Sequence, residues 1–178
     1  MDTLAEMRTA VQSDLNVDGT SALYSPTIID RVINRAYRKA GALFPWPELM
    51  DAKKTTSENL NTYYDYPQAW RSNSIWKVVV DDVKYGEDPD GSPLVFSDYL
   101  NWKEDYSTST DKKWANQERR YFISPTPANG VVICIWGKMA ITALTVDGSV
   151  TIFSYHMQEC NEAVILETVA ILKSKGDK

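Results

Sequence analysis

Residues 63–85, YYDYPQAWRSNSIWKVVVDDVKY, contain the clearest β-strand signal in the chain. Within this stretch, residues 75–80 are β-branched and aromatic, and such side chains favour extended backbone. Because successive side chains of a strand point to opposite faces, Trp76, Val78 and Val80 are predicted to share one face. The four tyrosines and two tryptophans of the stretch are more aromatic surface than a single strand needs. We therefore predict that a small sheet begins here.

Two turn signals indicate how this sheet continues. Asp81-Asp82 is a two-residue turn candidate, although a glycine is more usual at its second position. Asn129-Gly130 is a hairpin signal within a longer loop, so the strands on either side of it are expected to pair with each other. Four further strands are predicted. Ser-Glu-Asn joins the strands at residues 50–56 and 61–66, and the Asn129-Gly130 loop joins those at 120–124 and 131–136.

Helical signals precede the sheet. Thr3 and Glu6 have the spacing of a capping box, which predicts a first helix of about three turns ending near Asp14. Ser25-Pro26 is a helix start signal, and Gly41 is expected to end that second helix.

Helical signals also lie within and after the sheet region. A short helix at residues 98–106, capped by Ser97, is expected inside it, followed by a polar loop at 107–113. A long helix is predicted from residue 154 to 175. Its residues 163–172 are apolar nearly all round, which is typical of a helix inside a bundle or between subunits.

The second helix carries a one-sided basic face. Arg31, Arg35, Arg38 and Lys39 share that face by their spacing, and only Asp30 accompanies them. Such a face is either a solvated helix surface or a contact for an acidic partner or for DNA phosphates. The segment 44–47, Phe-Pro-Trp-Pro, cannot continue this helix, and it is either an interface wedge or a buried closure of the bundle.

Composition limits the classes of function that remain. The 178 residues suffice for one domain, or for one domain with a subdomain. A net charge of −5 argues against a protein that coats nucleic acid by bulk attraction. No apolar run is long enough to span a bilayer, and the acidic, amphipathic start is unlike a signal peptide, so synthesis and folding in a cytoplasm are expected. Cys134 and Cys160 are expected to be buried, reduced thiols.

Candidate catalytic and metal-binding motifs are incomplete. The first loop begins like a calcium-binding EF-hand, with Asp14, Asn16 and Asp18, but Ser25 stands where a bidentate Glu is needed. His156 is the one histidine, so a catalytic triad or a zinc site lacks its parts. We therefore expect no enzyme activity, no metal site and no cofactor. Exposed aromatics could stack on sugars or unpaired bases, but packing in the core or between subunits is the more economical interpretation.

Several motifs together resemble the head-to-tail adaptor (connector) proteins of tailed bacteriophages. The resemblance spans nearly the whole chain and rests on the order of degenerate motifs. The first motif is the leading helix pair with its basic second helix, and the second is Asp65-Tyr66-Pro67 with Trp70-Arg71, before the 75–80 strand and the Asp81-Asp82 turn. The third is YFISPTPANGVVICIWGK at 121–138. LTVDG at 144–148 and the closing apolar helix that ends in Lys-Gly complete the set.

The helix and strand signals by themselves indicate an α+β fold, and the resemblance implies how its parts are arranged. A helical bundle would form from the N-terminal helix pair and the C-terminal helix, with a small antiparallel β-subdomain inserted between them. The corresponding boundaries are residues 1–48 for the N-terminal helical part, 49–150 for the β-rich subdomain and 151–178 for the closing helix.

The resemblance also implies a structural role in the virion neck. Such adaptors form a ring, typically twelve-fold, between the portal protein and the tail or nozzle protein, and they extend the channel for double-stranded DNA. Another neck or tail-completion protein, or a carbohydrate-binding β-module, is the alternative. No membrane contact is expected. The interface residues that we predict are Arg31, Arg35, Arg38, Lys39, Trp46, Trp70, Trp76, Lys173, Lys175 and Lys178.

Overall fold

The protein folds into two compact units, as seen in a computed structural model that describes residues 2–17, 24–43, 46–106, 108–154 and 158–176. The helical unit consists of Met1–Glu48 and Ile141–Lys178, and the β-rich unit is Leu49–Ala140. The predicted α+β class is confirmed. Residues 141–150, expected in the β-rich part, belong to the helical unit, because Leu144 is buried in the helical core.

The described helices of the helical unit are α1, Leu4–Leu15, α2, Pro26–Leu43, and α4, Gln158–Gly176. The capping box of α1 is confirmed: the Thr3 Oγ1 accepts from the Glu6 amide, and the Glu6 carboxylate accepts from the Thr3 amide at 2.7 Å. One core joins the three helices, and its buried side chains include Met7, Val11, Ile29, Ile33, Tyr37, Val164 and Leu172.

Two helix boundaries differ from the prediction. Gly41 is buried inside α2, which continues to Leu43, because packing against the core outweighs the low helix propensity of glycine. Ser154 lies in a turn before α4, where its hydroxyl accepts from the buried Asn161 amide group. Asn161 also accepts from the Thr151 hydroxyl at 2.5 Å, so this side-chain network holds the turn.

Seven strands and one α-helix are found among the described residues of the β-rich unit. Its strands are β1, Met50–Thr56; β2, Tyr63–Asp65; β3, Lys77–Val80; β4, Val83–Tyr85; β5, Lys113–Gln117; β6, Arg120–Ser124; and β7, Val132–Lys138. Its helix is α3, Phe96–Asp105. A four-stranded antiparallel sheet has the order β1-β7-β3-β4, and a three-stranded antiparallel sheet has the order β2-β6-β5.

The predicted pairing of the strands at 120–124 and 131–136 is wrong, since β6 and β7 lie in different sheets. Ser57 provides the physical reason. Its hydroxyl donates to the Ala128 carbonyl and accepts from the Val131 amide at 2.8 Å, while its carbonyl accepts from the Gly130 amide at 2.9 Å. The Gly130 turn is therefore fastened to the end of β1, and β7 continues beside β1 instead of β6.

Two other sequence predictions need correction. Residues 113–117 form β5, which pairs with β6 along its whole length and buries Trp114 and Ala115. The helix predicted at 98–106 runs from Phe96 to Asp105, and its N-cap, Val95, offers no side-chain hydrogen bond, so Ser97 is not the cap.

The stretch at 63–85 enters the β-rich core through a turn at Pro67. Trp70 ends this turn, is 1% exposed, and donates from its indole nitrogen to the Asp51 carboxylate at 3.1 Å. The Arg119 guanidinium holds the turn from outside by donating to the carbonyl oxygens of Trp70, Pro67 and Gln68 at 2.8, 3.0 and 3.2 Å. The buried Trp70 indole and the hydrogen bonds of Arg119 thus fix the position at which the chain enters the sheet.

Ionisable side chains in this core have shifted pKa values. Burial raises the pKa of Tyr66 to about 12, and its hydroxyl donates to Asn116 at 2.5 Å. Desolvation alone would raise the pKa of Asp51, but hydrogen bonds from Trp70, Lys53 and the Ala52 amide outweigh it and lower that pKa. Cys134 and Cys160 are free and only half-buried, and desolvation raises the pKa of Cys160.

Candidate interaction surface

The helix α2 presents three arginines to solvent. Ile29, Ile33 and Tyr37 bury one side of the helix in the core, so the helical spacing leaves Arg31, Arg35 and Arg38 on the outside. This part of the sequence prediction is confirmed.

Among the described residues, these arginines have no acidic partner. Within the described ranges, no carboxylate oxygen lies within 4.0 Å of the Arg31, Arg35 or Arg38 guanidinium groups. Asp30, the nearest acid in sequence, instead accepts from Arg8 at 2.7 and 2.8 Å. Arg8 also pairs with Asp147 at 2.7 Å, and the hydrogen bond to Asp30 is the main cause of its raised pKa. The acid beside the arginines is therefore already neutralised.

Lys39 differs from the arginines. Its ammonium group lies 2.6 Å from the Glu167 carboxylate on α4, so its charge is paired within the chain. The four predicted contact residues of α2 therefore divide into three unpaired arginines and one paired lysine.

The tertiary structure adds a cation that the sequence did not associate with this face. Lys175, near the end of α4, lines a cavity of about 330 Å³ together with Arg31 and Arg35. The same cavity has apolar walls made by Tyr24, Ile28, Val32 and Leu172. An adjoining cavity of about 380 Å³ is lined by Arg31, Arg35, Arg38, Asn34 and Ala143. We call the surface defined by Arg31, Arg35, Arg38 and Lys175 the basic groove.

The groove combines charge with apolar surface. Guanidinium groups bind carboxylates and phosphates through paired N–H donors, and unpaired guanidinium groups are free to do so. The apolar walls distinguish this groove from a simple phosphate-binding stripe, because a nucleic-acid backbone offers them no apolar group to bury. The groove is therefore suited to an acidic segment that also carries a small apolar side chain.

Apolar side chains are exposed on the same pair of helices. Leu43 is 71% exposed and Leu166 is 63% exposed, and Ala163 is exposed beside them on α4. A shallow cavity of about 190 Å³ between α2 and α4 is lined by Leu43, Ala163 and the Lys39–Glu167 pair. The nearly all-apolar segment of α4 is thus only partly covered within this chain.

The three tryptophans that we predicted as subunit contacts differ in burial. Trp70 is buried in the β-rich core, so its side chain does not reach the surface of this fold, and its assignment to subunit packing is wrong as stated. Trp46 is half-buried, packs 4.8 Å from the Phe153 ring and donates to the Ala40 carbonyl at 3.0 Å. Trp76 precedes β3 and is 38% exposed, so it does not share the buried face of Val78 and Val80.

The remaining predicted residues can be placed only in part. Lys173 and Lys175 are exposed near the end of α4, whereas Lys178 lies outside the described residues. Phe44 and Pro45 of the predicted wedge, His156, and Asp18 of the half EF-hand also lie outside them. Asp14 is exposed, and Asn16 caps α1 in the left-handed conformation.

Neither a metal site nor a membrane span is found in the described part of the chain. No group of three or more His, Cys, Asp or Glu side chains there is placed to hold a metal ion. No described helix combines the length and apolar character needed to cross a membrane. No protein-family model matches the chain, and no curated protein matches it either.

Proposed function

We propose that the protein is a structural component of a tailed-bacteriophage virion, a head-to-tail adaptor that forms a ring between portal and tail. The observation that carries this proposal is the uncovered surface of α2 and α4, where an unpaired basic groove and exposed leucines lie on one helix pair. Arginine is enriched at protein interfaces, and an assembly would cover the apolar side chains that are exposed beside it.

The chain topology supports the proposal. Helices from both chain ends share one core, and the β-rich unit is inserted between them, as the resemblance to adaptors implies. The ring would lie in the virion neck, with portal and tail or nozzle proteins as partners and double-stranded DNA passing through its channel. We assign the chain no catalytic step and no cofactor.

The rival functions receive less support. A carbohydrate-binding module needs exposed flat tryptophans, whereas Trp70 and Trp114 are buried and Lys77 covers the Trp136 ring at 4.5 Å. A different neck or tail-completion role uses the same surfaces but binds the tail instead of the portal. The protein that the assembled ring binds, portal or tail, separates these two roles.

Binding to purified portal rings tests the proposal. The wild-type chain should co-sediment with portal, and the triple variant R31E/R35E/R38E should lose that binding while its circular dichroism spectrum stays unchanged. Lys39→Glu, which removes a charge already paired with Glu167, should weaken binding much less. A chain that binds neither portal nor the neck region of virions would refute the adaptor assignment, and binding to tail protein alone would favour the alternative neck role.

The C-terminal lysines allow a second test of the same proposal. Lys173 and Lys175 lie in the last turn of α4, and the segment 173–178 is the part of the chain that we expect to reach the portal. Deletion of residues 176–178 keeps Lys175 in the groove and should reduce portal binding only if the segment itself makes contact. Unchanged binding would show that residues 176–178 make no contact with the portal.

A further inference from the structure

An unusual turn joins β3 to β4. Asp81 and Asp82 both have left-handed backbone, with φ of 50° and 60°. Two consecutive positive φ values define the turn type in which Asn-Gly is preferred, because glycine adopts that conformation without steric cost. Aspartate tolerates left-handed backbone, but glycine at the second position would give a more stable turn.

The turn displays carboxylates beside apolar side chains. Val83 is 39% exposed, Val132 is 47% exposed, and the Asp81 amide donates to the Val132 carbonyl at 3.0 Å. No Lys or Arg nitrogen in the described part of the chain lies within 4.0 Å of the Asp81 or Asp82 carboxylates. We call Asp81, Asp82, Val83 and Val132 the acidic tip.

The acidic tip and the basic groove have complementary chemistry. The tip offers two carboxylates and two valines, and the groove offers guanidinium groups beside Ile28, Val32 and Leu172. None of these charged groups is paired with another described side chain. Arginine and carboxylate form short, charge-assisted pairs, and valines would replace water on the apolar walls. A two-residue turn between paired strands is also pre-organised, so little chain entropy is lost when it binds.

We propose that the basic groove of one copy of this chain binds the acidic tip of a second copy. The two surfaces are different, so the contact is head-to-tail, and repetition of such a contact gives a closed ring or a filament. This inference rests on the proposed function only in requiring that copies of the chain associate. It names the two surfaces that meet, which the adaptor assignment leaves open.

Self-association of the purified full chain, followed by sedimentation velocity over a range of concentrations, tests the contact. The wild type should associate increasingly with concentration, and added salt should weaken the association because it screens exposed charges. R31E/R35E and D81N/D82G should each weaken it by about a hundredfold or more, since like or missing charges replace attractive pairs. D81N/D82G installs the preferred turn sequence, so a loss of association there does not come from misfolding.

A charge swap gives the sharpest readout. R31E/R35E and D81K/D82K should each fail to associate alone, but an equimolar mixture should associate again, because reversed groove meets reversed tip and native groove meets native tip. K54E/K112E is the matched control for the groove, since it makes the same charge change at two exposed lysines outside it. E104K/D105K is the matched control for the tip. Both controls should associate like the wild type.

Three results would overturn the proposal. The first is a wild-type chain that stays monomeric at every concentration, whether or not its groove binds duplex DNA. The second is a set of groove and tip variants that associate as well as the wild type. The third is a charge-swap mixture that stays unassociated although both components are folded. If D81K/D82K does not fold, the self-association of D81N/D82G still shows whether the acidic tip is needed for the contact. If the chain still associates in both the groove variants and the tip variants, this contact is refuted and the adaptor proposal stands. If association depends on the groove but the chain binds neither portal nor tail, this contact stands and the adaptor proposal is refuted.

Discussion

Replacing Gly137 by alanine should destabilise the β-rich unit strongly. Gly137 lies on β7 opposite Asp51, and a Cβ atom there would come within 2.1 Å of two carbon atoms of the Trp70 ring. Its backbone is not left-handed, so alanine is acceptable to the strand itself. The whole effect should therefore arise from the contact with the indole.

The loss in the free energy of unfolding has two sources, overpacking of the core and loss of the hydrogen bond that the Trp70 indole donates. Overpacking a close-packed core costs about 1–3 kcal/mol. A ring that moves away also loses its 3.1 Å hydrogen bond to the Asp51 carboxylate, and such bonds to charged groups contribute about 1.5–3 kcal/mol. We expect a loss of about 3–5 kcal/mol from the free energy of unfolding, a large part of the roughly 5–15 kcal/mol that typical domains possess.

Urea unfolding followed by tryptophan fluorescence measures this loss. Five of the six tryptophans lie in Leu49–Ala140, so the signal reports mainly on the β-rich unit. Lys112→Ala is the control in the same unit, because this side chain is exposed, and its transition should shift by less than about 0.5 kcal/mol.

A double mutant isolates the cause. In Trp70→Leu/Gly137→Ala the added methyl group occupies space vacated by the ring, so the combined loss should be smaller than the sum of the single losses by about 1–3 kcal/mol. Additive losses, or a Gly137→Ala transition at the wild-type urea concentration, would refute the argument from close approach.

Three other predictions concern the same unit. Because hydrogen bonds lower the folded-state pKa of Asp51, its stabilising contribution is present above the ordinary carboxyl pKa of about 4 and is lost as the pH falls through the lowered value. Asp51→Asn should therefore flatten the acid side of a stability profile measured by urea unfolding, and an unchanged profile would contradict this. Arg119→Ala removes three donors from the Pro67 turn and should cost about 2 kcal/mol, measured against Lys112→Ala as a surface control. Ser57→Ala leaves the Ala128 carbonyl and the Val131 amide without their hydroxyl partner and should cost about 1–3 kcal/mol, with faster amide hydrogen exchange at Val131. Wild-type exchange there would show that water replaces the hydroxyl.

The candidate surface was only partly accessible from sequence. Helical spacing predicts that Arg31, Arg35 and Arg38 share a face, because residues three, four and seven apart on a helix always do. It gives no information on which charges are already paired. Arg8 is distant in sequence from Asp30, and Glu167 is distant from Lys39, so both pairings depend on helix packing. The same packing brings Lys175 to Arg31.

Local signals in the chain were enough for the α+β class, the capping box of α1, the β3–β4 turn at Asp81-Asp82 and the basic face of α2, because each depends on neighbours within a few residues. Only the tertiary structure determined which strands pair, that 113–117 is a strand, and that Trp70 is buried. Sheet partners are chosen by distant hydrogen-bonding groups, such as the Ser57 hydroxyl that separates β7 from β6. Burial likewise depends on what packs against a side chain, as the approach of Gly137 to the Trp70 ring shows.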